Sequence, residues 1–119
     1  MVTEWDDWTW INRSMKTTSC RELAERMARG ERPLLLDVRE KDEHAICHLP
    51  GSLLIPMSEL PLRLAELDPD VETIVYCHHG VRSAHVIAHL QAQGFERLTN
   101  LRGGIDAWSR EVDPCVRRY

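Results

Sequence analysis

A chain of 119 residues supports one domain with one modest core, and its 43% apolar and 29% charged content is ordinary globular usage. A net charge of −4 speaks against a general nucleic-acid binder, and no apolar run approaches the roughly 18 residues of a membrane span. The opening MVTEWDDWTW is acidic and aromatic, lacks the basic and apolar regions of a secretory leader, and leads us to expect a cytoplasmic protein.

Residues 1–15 stand apart as a Trp-rich acidic extension, with Trp5, Trp8 and Trp10 beside Glu4, Asp6 and Asp7. Two uses fit such a segment: rings draped onto the domain, or a docking arm for a protein partner, since Trp often anchors interfaces. The regular pattern, and with it the expected domain, runs over 16–119. A short edge strand near Thr17 precedes a capping box, Ser19 to Glu22, that opens a helix. Leu23, Ala24, Met27 and Ala28 give helical spacing, and Gly30 ends it.

The run PLLLDV at 33–38 reads as a fully buried strand. A short helical turn is expected in REKDEHA, then a turn at HLPGS and a second buried strand at 53–55. Ser58 is placed to cap a helix carrying Leu60, Leu64 and Leu67 on one face, with Pro61 in its first turn. The run ETIVY at 72–76 is a third buried strand. A helix over 83–93 follows, stopped by Gly94, then a strand at 97–101 and a last short helix from GGIDAWSR. Strands alternating with helices imply parallel βαβ units and an α/β fold of about five strands. Ligands of such sheets sit at the carboxyl ends of the strands.

Cys77 falls at such an end. The stretch YCHHGVRS joins a strand to a helix through a tight loop, which turns successive N–H groups inward as an anion cradle beside a helix N-terminus. Gly80 permits backbone angles that a Cβ hinders. Arg82 adds positive charge, and no acidic residue lies within 77–83. A thiol held there is expected to ionise below its ordinary range and act as a nucleophile toward an anionic substrate. The plainer reading is a buried structural cysteine.

These residues resemble the rhodanese family of sulfurtransferases. The resemblance rests on LLLDVREKDEHAICHLPGSLLIP at 34–56, IVYCHHGVRSAHVIAHLQAQGF at 74–95 and LRGGIDAW at 101–108. With the first helix, these segments cover most of 17–113. The resemblance implies a three-layer sandwich around a five-stranded parallel sheet. It implies that Cys77 accepts a sulfane sulfur from a thiosulfate-like anion as a persulfide and passes it to cyanide, a thiol or a sulfur carrier. The amides of His78, His79, Gly80, Val81, Arg82 and Ser83 would hold it, with no cofactor beyond the covalent persulfide. Two alternatives stay open: a non-catalytic docking or regulatory module, and a cysteine-dependent phosphatase or arsenate reductase. The second resembles this domain but places five residues between cysteine and arginine, where this chain has four.

Arg82 either faces the pocket or turns away to a carboxylate such as Asp37 or Glu40. Asp37 and Arg39 are expected to tie loops at the strand ends beside the site. His78 and His79 suit tuning or access more than proton transfer. Cys47 stands where the family usually has glycine; it is either a resolving thiol or a small side chain tolerated in a loop. Cys20, Cys47, Cys77 and Cys115 form no CxxC pair and read as free thiols. His85 and His89, four apart, share a helix face that reads as solvated, and no metal site is expected. The tail VDPCVRRY is expected to pack along the surface.

Overall fold

The computed structural model describes residues 15–119. The extension expected over 1–15 therefore lies, apart from Met15, outside the described residues, and Met15 itself is buried in the core. Five strands run in chain order: β1 (Thr17–Thr18), β2 (Leu34–Asp37), β3 (Leu53–Leu54), β4 (Thr73–Tyr76) and β5 (Leu98–Leu101). They pair in parallel as one sheet ordered β1-β5-β4-β2-β3. Among the described residues four α-helices accompany them: α1 (Cys20–Ala28), α2 (Lys41–Ile46), α3 (Val81–Ala92) and α4 (Gly104–Glu111). This is the expected α/β sandwich around a five-stranded parallel sheet.

Local signals explain most boundaries. Ser19 Oγ accepts the Glu22 amide at 3.0 Å while Glu22 Oε1 accepts the Ser19 amide at 2.9 Å, closing the capping box of α1. A second such exchange, between Glu40 and Glu43, opens α2. Helix α3 starts two residues earlier than expected, at Val81, because Gly80 takes φ +107° and turns the chain directly into the helix.

The helix expected after Ser58 is a correction. Residues Leu60–Leu62 and Leu64–Glu66 form two 3₁₀ turns, broken at Arg63, which has φ −120° and ψ 16°. Leu60 and Leu67 still reach the core and Leu64 packs against it, so the apolar stripe is met. Pro61 and the short span available favour i→i+3 bonds over a continuous α-helix.

Parallel strands buried on both faces read as unbroken apolar runs, and period-2 alternation sorts their side chains. Ile74 and Tyr76 join Leu35, Leu101, Leu23 and Trp108 under α1 and α4. Val75 and Cys77 join Leu36, Val38, Leu98, Ile87 and Leu90 under α3. Cys77 thus points toward α3 because it is one residue out of phase with Tyr76. β4 lies third of five in the sheet, so its carboxyl end sits near the middle of that edge. Among the described residues, no helix is long and apolar enough to cross a membrane.

Candidate active site

The loop from Cys77 to Gly80 leads from β4 into α3, and its geometry centres on one sulfur. Gly80 has no side chain with which to cap α3, so the helix's first amides need another acceptor. Cys77 Sγ supplies it. The Ser83 amide, third in the helix, points at the sulfur from 3.4 Å, and the Gly80 amide donates to it at 3.1 Å. Of the six loop amides expected around the sulfur, these two bond it. Both donors and the helix dipole stabilise negative charge there.

Ser83 Oγ lies 3.4 Å from Cys77 Sγ and donates its own proton to Asn100 Oδ1 at 2.6 Å. Asn100 Nδ2 in turn donates to the Gly80 carbonyl at 3.2 Å, which fixes which end of the amide faces Ser83. Sequence reading missed Asn100. The signal was present: an amide in the buried strand LTNL, two residues beyond Leu98 and so on the same face. Its register with Val75 brings it to the sulfur side of the sheet.

The opening of α4 clamps the loop from the other direction. The Ile105 and Asp106 amides donate to the carbonyls of Cys77 and His78 at 2.9 and 3.1 Å. This approach requires Gly104: a Cβ there would overlap both carbonyls, and its φ is +61°. We therefore expect Gly104→Ala to cost at least about 2 kcal/mol of stability and to displace the Cys77 loop. Urea unfolding and thiol alkylation rates would check it, and an unchanged midpoint would refute it.

Arg82 turns away from the pocket, but to a partner other than Asp37 or Glu40. It forms a two-pronged pair with Glu43 of α2 at 2.7 and 2.9 Å. That pairing holds the Glu43 carboxyl down at about 2 against its ordinary 4.5, with burial opposing. The folded value is the depressed one, so the pair's stabilisation is complete above pH 4.5 and is lost as pH falls through about 2. Glu43→Gln should flatten the acid limb of a stability–pH curve within that window, measured by denaturant midpoints. An unaltered limb would show that Glu43 does not carry it.

Glu43 has a second guest, from the chain's last residue. The Tyr119 hydroxyl donates to Glu43 Oε2 and accepts from Arg39 Nη1, both at 2.8 Å, and its ring stacks on His78 with centroids 3.9 Å apart. The tail expected along the surface thus ends against the loop. Burial, then the neighbouring His79, push the His78 imidazole below its usual range, and its Nε2 is buried without a partner.

Asp37 and Arg39 are both fully buried and lie on the β2 side of this cluster. Arg39 Nε and Nη2 donate to the two Asp37 oxygens at 2.9 and 2.7 Å, and Nη2 also donates to the Cys47 carbonyl at 2.6 Å. His44 Nδ1 lies 2.8 Å and the Tyr76 hydroxyl 3.2 Å from Asp37 Oδ2. The pair ties β2, α2 and the tail together and touches the Cys77 loop at second hand, through Tyr76, Glu43 and Tyr119.

All four cysteines are free. Cys47 packs in the cluster on the opposite face of the sheet from Cys77. Cys20 is buried near the Gly104 carbonyl, and that burial, with Glu111 adding to it, pushes its thiol up to about 12. Among the described residues His78, His79 and Asp106 bring possible metal-ligand atoms within 4.8 Å of one another. Asp106 is already bonded by Arg110 and Arg118, each at 3.0 Å, and two guanidiniums oppose a cation there.

Comparison with known proteins accords with this geometry. The family model described as Rhodanese-like domain matches residues 19–111. A protein of Allochromatium vinosum named "Sulfurtransferase" is 42% identical over 94 residues, which span 79% of this chain and 88% of that protein. The "Probable adenylyltransferase/sulfurtransferase MoeZ" of Mycobacterium tuberculosis is 37% identical over 105 residues, 87% of this chain but only 27% of MoeZ. In three dimensions, the "Rhodanese-like Domain Protein from Staphylococcus aureus" superposes with a TM-score of 0.77 at 30% identity, over 88% of this chain and 99% of that one.

Proposed function

Because this chain belongs to the rhodanese-like domain family, in which its relatives are named for sulfur transfer, we propose that it carries sulfane sulfur as a persulfide on Cys77. The observation that supports this reading is the convergence of the Gly80 and Ser83 amides on Cys77 Sγ, at 3.1 and 3.4 Å. Preset donors around a charged sulfur need no reorganisation when charge moves onto or off it.

The proposed cycle has two displacements. The Cys77 thiolate attacks the outer sulfur of thiosulfate. The new S–S bond forms as the old one breaks, and sulfite leaves with the electron pair. The persulfide anion stays under the loop amides. An acceptor, cyanide or a thiol, then takes the outer sulfur, and Cys77 departs as the thiolate that began the cycle. No proton need be removed by a general base once the thiolate is present, which suits a site where the imidazole next in sequence, His78, is stacked on Tyr119. The carrier is the cysteine itself, and no other cofactor enters.

The four-residue spacing between Cys77 and Arg82 favours sulfur over phosphate as the group cradled. The loop wraps one sulfur closely, and Arg82 is committed to Glu43 instead of reaching over the cradle. The test is direct. Protein incubated with thiosulfate and desalted should gain the mass of one sulfur atom per chain, removable by dithiothreitol. No gain, or a gain traced by peptide mapping to the exposed Cys115, would overturn the proposal.

A further inference from the structure

With Arg82 held by Glu43, the cation available to an anionic substrate must come from elsewhere. A cleft of about 470 Å³ adjoins the loop, walled by His79, Gly80, Asn100, Arg102 and Gly103. Gly80 is common to both: its amide bonds Cys77 Sγ, and the residue also lines the cleft. No acidic residue lines this space. Arg102 directly follows β5, and its amide donates to the Thr18 carbonyl at 2.9 Å, so its backbone is fixed while its side chain is 61% exposed. Its neighbour Glu22 stands off at 3.6 Å through an oxygen already taken by the Ser19 amide. An exposed, long contact of this kind is weak and readily exchanged for another anion.

The cleft has room for an organic reactant as well as for a compact ion, since about 470 Å³ is ordinary for a small organic ligand. We propose that this cleft is the acceptor subsite, that it takes a small organic thiol bearing a carboxylate, and that Arg102 is the residue that selects it. This rests on the persulfide reading above. The thiol sulfur attacks the outer sulfur of the Cys77 persulfide, forming an R–S–S bond. The Cys77–S bond breaks, Cys77 leaves as thiolate, and the thiol's proton ends on the product persulfide or in solvent. Meanwhile the carboxylate lies against Arg102.

Two measurements separate this proposal from the chemistry on which it rests. In the first, thiosulfate-driven turnover is compared with 3-mercaptopropionate, 2-mercaptoethanol and cysteamine as acceptors. The ratio of kcat/KM for the carboxylate thiol over mercaptoethanol should fall about fivefold in Arg102→Gln. It should fall further in Arg102→Glu, which should place cysteamine first. A ratio within about twofold of wild type, or an equal loss for all three thiols, overturns the proposal. So does a raised KM for thiosulfate with the ratio unchanged, which would assign Arg102 to the donor. In the second, the unreactive thioether 3-(methylthio)propionate is titrated into Cys77→Ser protein, where no sulfur can be carried. The amide resonances of Gly80 and Gly103 should shift, and the Arg102→Glu background should abolish the shift. Shifts confined to other regions, or none, overturn the subsite whatever the fate of the persulfide.

Discussion

Cys77→Ser protein is expected to lose at least about 10³-fold of its thiosulfate-to-cyanide turnover and to gain no sulfur mass from thiosulfate. The substitution shrinks the side chain only slightly and keeps a hydrogen-bond acceptor where α3 uses one as its cap, so the fold should persist. What disappears is the polarisable nucleophile. A serine hydroxyl would need a base to ionise it, and the adjacent imidazole of His78 is held low by burial and His79 and stacked beneath Tyr119. A serine also cannot leave as a stabilised anion in the second displacement. Steady-state assay of the purified variant, beside a melt showing it folded, checks the expectation. Retention of more than about a tenth of wild-type turnover by the folded variant would sink the persulfide mechanism.

Arg39→Leu is expected to destabilise the domain by about 3–5 kcal/mol. Arg39 and Asp37 are both fully buried, and the guanidinium makes two of the carboxylate's bonds while also reaching the Cys47 carbonyl and Tyr119. Removing it strands the Asp37 charge among hydrocarbon, with the His44 ring and the Tyr76 hydroxyl as its main polar side-chain neighbours. An uncompensated buried charge is the expensive outcome. Replacing both partners removes that charge, so the double variant Asp37→Leu/Arg39→Leu should regain part of the loss. Guanidinium unfolding of the single and double variants tests the pair. A single-variant loss below about 1 kcal/mol would show that Asp37 is rehydrated and the pair is dispensable.

The readings that held were those set by short-range physics. Ser19 and Glu22 are three apart and make the reciprocal bonds of a capping box wherever the chain can turn into a helix. The runs LLLD and TIVY bury both faces, as parallel strands must. Where a local signal competed with another, the result was mixed. Leu60, Leu64 and Leu67 carry helical spacing, yet Pro61 and a break at Arg63 leave 3₁₀ turns.

From the sequence alone came the order of elements, the parallel α/β class, the resemblance and the placing of Cys77 at a strand end before a helix. Each follows from periodicity and neighbouring residues. Only the tertiary structure decided that Arg82 spends its charge on Glu43, 39 residues away. It alone brought Tyr119 from 76 residues beyond to that same carboxylate, set Asn100 behind Ser83 and left Arg102 beside an open cleft. Long polar side chains have several suitors of similar strength, and which one they meet depends on how distant segments of backbone are packed together.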